Sequence, residues 1–167
     1  MKIYIGADHT GFDLKEKIRT FLSEFGYEVE DCGAYDVNKD DDYPDFISKV
    51  ASAVSEDKES KGIVIGGSGQ GEAMLANKFK GVRCALFYSP AVPKTSVDIT
   101  GRKSDDVFEI VGLARDHNDA NVLSLSARFL TNEEALEAVK VFLDTPFKGE
   151  ERHVRRIEKI KEFEKGN

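Results

Sequence analysis

The chain has 167 residues, which suits one domain or one domain with a protruding arm. Apolar residues make up 40% and charged residues 33%, a globular balance, and no stretch approaches the ~18 consecutive apolar residues of a membrane span. The formal net charge of -7 disfavours nucleic acid as a general partner, because phosphate backbones require a basic footprint.

A first strand is expected at Ile3-Tyr4-Ile5, with no signal peptide's apolar core before it, so the expected address is the cytoplasm. Leu14, Ile18, Phe21, Leu22 and Phe25 then recur at helical spacing. Thr10 with Asp13 resembles a capping box for that helix, and Gly26 suits its C′ position. A second strand near Tyr27–Asp31 leads through an acidic loop to Tyr43-Pro44. These open a helix with Phe46, Ile47, Val50, Ala51 and Val54 on one face. Lys61–Ile65 is continuously apolar after its lysine, the mark of a strand buried on both faces.

A glycine-rich loop follows, then a short helix over about Glu72–Phe79 and strands at Val82–Phe87 and Asn121–Leu125. Thr131-Asn132-Glu133-Glu134 caps a last core helix that turns Leu136, Val139, Val141, Phe142 and Leu143 inward. This alternation with short connections predicts an α/β fold: a three-layer α/β/α, Rossmann-like domain on a five-stranded parallel sheet, spanning residues 1–148. Cys32 and Cys84 form no CxxC and sit in strand contexts, so two buried thiols are expected.

Two segments stand outside that alternation. Residues 89–106 form a polar connection carrying Pro90, Pro93 and Gly101, too long for an ordinary loop; it is either a lid or surface decoration. Residues 149–167 are highly charged, with Val154, Ile157, Ile160 and Phe163 three residues apart, which predicts a C-terminal helical arm. The arm docks either on a partner subunit or on its own domain.

In open parallel sheets the chemistry gathers past the carboxyl ends of the strands. Asp8-His9-Thr10-Gly11 follow the first strand, Gly66-Gly67-Ser68-Gly69-Gln70-Gly71-Glu72 the third, and Arg128 the fifth. His117 and Asn118 precede their strand, so they point to the opposite end unless a neighbouring subunit uses them. The glycine loop is no P-loop, since no Gly-Lys-Ser/Thr closes it, and no dinucleotide fingerprint, since Glu72 stands where glycine or alanine is required. It serves either a tight turn or a nest of N–H groups for negative charge. Glu72 is either a partner for the helix dipole or a general base. Asp8-His9 and His117 have equally plain structural readings. Arg152 and Arg156 share one helical face, as a solvated surface or as a phosphate clamp with Arg128 and His9. Three scattered histidines without HxH or HExxH predict no metal.

Several segments together resemble a known family. They are Gly6-Ala7-Asp8-His9-Thr10-Gly11-Phe12, Asp42-Tyr43-Pro44, the run from Gly67 to Glu72, Ala76-Asn77-Lys78, Arg83-Cys84-Ala85, Arg115-Asp116-His117-Asn118 and Arg152-His153-x-x-Arg156. In this order they resemble the type B ribose-5-phosphate isomerases, whose relatives act on galactose and allose 6-phosphates. The resemblance implies aldose–ketose isomerisation through an enediolate, without metal or cofactor. One branch of that family places a cysteine base where Gly66 stands; this chain resembles the branch whose base is a glutamate, here Glu72. It further implies that Ser68 moves the proton between the two oxygens and that the amides of Gly67, Gly69, Gln70 and Gly71 hold the enediolate. Asp8 and His117 would open the sugar ring and Asn118 would contact the reacting oxygens. His9, Arg128, Arg152 and Arg156 would bind the phosphate, and Tyr43 would line the pocket. Family members are dimers or dimers of dimers with shared sites, which would account for His117 standing at the wrong end of its own strand. Two alternatives stay open: an isomerase of a 6-phosphate sugar, and a non-catalytic sugar-phosphate binder.

Overall fold

The apolar runs pair into one parallel sheet. In the computed structural model, which describes residues 1–165, the strands are β1 (Lys2–Ala7), β2 (Glu28–Asp31), β3 (Lys61–Gly66), β4 (Cys84–Phe87) and β5 (Val122–Ser126). The last two residues of the expected arm, 166 and 167, lie outside the described residues. The strand order is β2-β1-β3-β5-β4, with Ile5 opposite Ile63 and Ile63 opposite Leu123 in register. The helices are α1 (Phe12–Glu24), α2 (Pro44–Glu56), α3 (Gln70–Ala76), α4 (Glu109–Asn118), α5 (Asn132–Asp144) and α6 (Glu151–Glu164).

Strand residues alternate between two cores, as a period of two requires. Ile3, Ile5, Ile63, Ile65, Leu123 and Leu125 face α1, α4 and α5. Tyr4, Val64 and Val122 face α2 and α3. Each of these buried aliphatic side chains contributes about 1.5–3 kcal/mol by leaving water. Two covered faces explain why β3 reads as a continuous apolar run. No helix among the described residues is long and apolar enough to cross a membrane.

Several local expectations need correction. Thr10 does not cap α1. The N-cap is Gly11, without a side-chain bond, and the Asp8 carboxylate accepts the amides of Thr10 and Gly11 instead. Asp8 wins because it lies at the strand end, where its short side chain reaches amides two and three residues on. Phe25 projects into solvent, since the chain has left the helix there, while Gly26 does take the left-handed C′ conformation at φ 80°. The short helix begins two residues earlier than read, at Gln70, and ends at Ala76. On α5 the innermost positions are Ala135, Ala138, Val139 and Phe142, with Leu136, Val141 and Leu143 only half-buried. Small alanines let that helix sit close to the sheet. Its capping box is present as read: Glu134 N–H donates to Thr131 Oγ1, and the Glu134 carboxylate accepts from Thr131 N–H.

Residues 88–108 contain no helix or strand. They are held by Asp98, which accepts from the Thr100 and Arg102 amides, and by Arg102, whose guanidinium also bridges to Glu109. The Asp98 carboxylate stays well below its ordinary range, chiefly through the hydrogen bond from the Thr100 hydroxyl. Directly beyond comes α4, an element unread in the sequence. Both cysteines are free; Cys32 is buried and Cys84 half-buried. On α6 only Ile157 of the four expected anchors is buried, while Phe163 is 80% exposed.

Candidate active site

The chain leaves β1 toward β2 on one side and later adds β3 on the other, so a crevice opens between the carboxyl ends of β1 and β3. The two loops that start there, residues 8–11 and 66–71, face each other across it.

β5 shapes the glycine loop. Ser126 Oγ donates to the Gly67 carbonyl at 2.7 Å and Ser124 Oγ to the Gly69 carbonyl at 2.6 Å. The amides of Ala127 and Arg128 donate to the carbonyls of Gly66 and Gly67. Gly69 adopts φ 74°, and a side chain there would strike Leu86 and the Leu125 carbonyl, so this position requires glycine twice over. With those carbonyls tied to β5, the loop has N–H groups left to offer a ligand. Gly71 and Glu72 lie in the first turn of α3, whose amides have no intrahelical acceptor. The Gln70 amide donates to Ser68 Oγ at 3.3 Å.

Glu72 points back beneath this loop and is only 4% exposed. Its carboxylate lies against the α-carbon of Gly66: a β-carbon there would fall 2.7 Å from Oε2 and closer still to Oε1. A side chain at residue 66 and the Glu72 carboxylate therefore claim the same space. Burial raises the Glu72 pKa above its ordinary 4.5, its own backbone amide opposes this, and the Asp8 charge adds to the rise. The result is a desolvated carboxylate beside a row of donors. Neither thiol competes with it, because burial pushes Cys84 up to about 12 and Cys32 up to about 11.

Around the crevice, Arg128 places its guanidinium 3.3 Å from where a Gly67 side chain would begin, with the Thr10 methyl at the same distance. Tyr43 packs its ring and hydroxyl against Gly71. His9 Nδ1 meets Asp41 Oδ1 at 2.5 Å, and the His9 amide also donates to Asp41. That hydrogen bond raises the His9 pKa, reinforced by the Asp41 and Asp8 charges and opposed by desolvation and by Arg128. Asp8, His9 and Asp41 are the one group of described residues whose potential metal-ligating atoms all come within 4.8 Å of one another. All three take part in hydrogen bonds within the chain, Asp8 to amides and His9 to Asp41.

The remaining expected residues lie elsewhere. His117 and Asn118 end α4 at the amino edge of the sheet, roughly 15 Å from the glycine loop along the five residues of β5 at about 3.3 Å each. Arg152 and Arg156 belong to α6, which packs on α4. His117 stacks on His153 with ring centroids 4.2 Å apart and 13° between planes. His153 is 3% exposed, neither ring nitrogen has a hydrogen-bond partner among the described residues, and burial lowers its pKa. One chain thus holds two separate clusters. Asp8, His9, Tyr43, Gly67, Ser68, Gly69, Gln70, Gly71, Glu72 and Arg128 gather at the carboxyl edge; His117, Asn118, Arg152 and Arg156 gather at the amino edge.

Four contributors escaped the sequence reading. Ser124 and Ser126 carried a usable signal, since two serines at alternate positions interrupt an otherwise apolar strand. His153 stood beside a noted arginine but without a mark of burial. Asp41 is one of several aspartates in an acidic loop and had no distinguishing mark.

Comparison with known proteins bears on this arrangement. The family pattern described as Ribose/Galactose Isomerase matches residues 3–100 and 106–160, leaving out five residues of the long connection after β4. The chain is 40% identical over 165 residues to ribose-5-phosphate isomerase B of Mycolicibacterium paratuberculosis, covering 99% of this chain and 92% of that protein. A crystal structure of ribose-5-phosphate isomerase B from Mycoplasma genitalium with bound ribulose-5-phosphate superposes with a TM-score of 0.85 at 40% identity, covering 99% of this chain and 97% of the other. The ribose-5-phosphate isomerase B of Clostridium thermocellum gives 0.83 at 40% identity, covering 99% of both chains.

Proposed function

The chain belongs to the ribose/galactose isomerase family, and on that premise we propose that it interconverts ribose 5-phosphate and ribulose 5-phosphate through an enediolate with Glu72 as the base. The observation that carries this reading is the buried Glu72 carboxylate, held against Gly66 beneath a loop whose carbonyls are already occupied.

The chemistry follows from that placement. The Glu72 carboxylate takes the C2 proton of the open aldose, and the electron pair moves through C1 onto the carbonyl oxygen. In this reading the amides from Gly67 to Gly71 stabilise that developing charge, the Gln70 amide exchanging Ser68 Oγ for it, as fixed dipoles that need no reorganisation. Ser68 passes the hydroxyl proton from O2 to O1, and Glu72 returns its proton to C1 to give the ketose. A phosphate bound by His9 and Arg128 supplies binding energy that orients the reacting carbons. Tyr43 closes the pocket over Gly71.

Ring opening needs a group that moves a proton between O1 and the ring oxygen. Asp8 stands on the carboxyl edge for this. His117, with Asn118, Arg152 and Arg156, fits the role when supplied by a second copy of the chain, because its own copy carries it at the far edge. Ile160 and Phe163 on α6 border a cleft of about 720 Å³ together with Phe79, Val82 and Cys84. The exposed Ile160 and Phe163 on α6 support a homodimer, or a dimer of dimers, joined through the arm.

The test is turnover by Glu72→Gln. The expected result is loss of nearly all isomerisation and of C2 proton exchange in deuterated water, with binding of ribose 5-phosphate retained. Burial raises the folded pKa of Glu72, so the ionised form costs stability from about pH 4.5 upward and the amide relieves that cost. The variant therefore unfolds no earlier than the parent at neutral pH. Undiminished exchange would remove Glu72 from the base role, and a higher kcat/KM on allose 6-phosphate than on ribose 5-phosphate would reassign the substrate.

A further inference from the structure

Asp41 takes no part in the proton transfers, yet it is among the most engaged side chains of the crevice. Its neighbours Asp36, Asp40 and Asp42 are exposed, whereas its own side chain is only 8% exposed and turns inward. Both of its oxygens accept from the His9 amide, at 3.0 and 3.2 Å, and Oδ1 also meets His9 Nδ1 at 2.5 Å. An ionised carboxylate only accepts, so Nδ1 carries the proton in that contact. Nε2 is then the one ring nitrogen left for a ligand. In a neutral ring it would offer a lone pair, which repels a phosphate oxygen; in the imidazolium it offers an N–H.

We propose that Asp41 is the positioning residue of the phosphate end of the site: its carboxylate anchors His9 through Nδ1 and so leaves Nε2 as a charged donor toward the substrate phosphate. The proposal rests on the reading of His9 as a phosphate ligand. Asp41 acts on His9 as a carboxylate acts on a metal-bound or catalytic histidine, fixing which nitrogen is free and which form the ring takes. The charged groups facing His9 are Asp41 from the acidic loop, Asp8 from the end of β1, which also favours the imidazolium, and Arg128 from beyond β5, which opposes it. A phosphate beside so acidic a loop needs this arrangement, because Asp41 would repel it if the imidazole did not stand between them.

Asp41→Asn preserves the acceptor for the His9 amide and for Nδ1–H but removes the charge. In the parent the His9 C2–H signal, identified among the chain's three histidines by its loss in His9→Gln, titrates above the ordinary histidine value of 6.5. In Asp41→Asn it titrates lower. KM for ribose 5-phosphate rises with pH earlier than in the parent, reaching roughly tenfold, the size of one charge-assisted hydrogen bond. The difference closes at acid pH, and kcat changes little at any pH. Asp41→Glu restores both readouts in part. An unchanged His9 titration, or a KM rise that is the same at every pH, overturns the proposal and leaves Asp41 as a loop fastener. If His9→Gln does not raise KM, the phosphate role of His9 itself fails, a result distinct from failure at Asp41. Should Asp41→Asn not fold, Asp41→Ser reads the same two quantities.

Discussion

Replacing Gly66 by alanine adds one methyl group where the Glu72 carboxylate rests. Gly66 ends β3 with ordinary extended backbone, so the main chain accepts alanine without strain. The conflict lies with the side chain of Glu72. Its farther oxygen, Oε2, would be 2.7 Å from the new carbon, against 3.4 Å or more in ordinary contact, and Oε1 and Cδ would be nearer still. The carboxylate must therefore retreat by about 1 Å or more, and a shift of that size in a catalytic group costs about 100-fold in rate. The obstacle is the flexible end of one side chain, so folding is little affected and Tm moves by no more than about 4 °C. The assay is steady-state isomerisation of ribose 5-phosphate beside a thermal melt of the same preparation. We expect kcat to fall about 100-fold while KM, set at the phosphate end, stays within about threefold. A kcat within about threefold of the parent would refute the reasoning, because it would mean the displaced carboxylate was not at work.

Two further outcomes follow from local geometry. Glu72 must be ionised to act as a base and burial raises its pKa, so kcat at saturating substrate falls on the acid side through a midpoint above 4.5; a midpoint at or below that value would contradict the buried placement. Thr131→Ala removes half of the α5 capping box and costs about 1 kcal/mol, read as a lower urea midpoint, with kcat little changed because the Thr131 hydroxyl bonds only to Glu134 within the cap.

Much of the architecture was legible because its causes are local and periodic. The run at Ile63-Val64-Ile65 reads as a strand covered on both faces, and the helical spacing of Ile47, Val50, Ala51 and Val54 matches the buried face of α2. Where reading failed, competition between neighbours decided the result. Thr10 and Asp8 both had the chemistry to satisfy the amides at the start of α1, and only the path of the chain leaving β1 gave them to Asp8. Helix α4 was hidden because its buried positions are Val111 and Arg115, and an arginine patterns as surface.

The amino-acid sequence by itself determined the kind of chemistry available: a glycine-rich strand end followed by Glu72, a second loop with Asp8 and His9, and arginines in reserve. Those features depend on residue type and on position along alternating strands and helices, which survive in one dimension. Only the tertiary structure decided which of them meet. It set the Glu72 carboxylate against Gly66, turned one aspartate of an acidic loop toward His9, bound the glycine loop through Ser124 and Ser126, and left His117 and Arg152 at the opposite edge. The hydrogen-bonded pairings among these join residues 32 to 59 positions apart, and nothing in the sequence says which residues pair until packing brings them within about 3 Å.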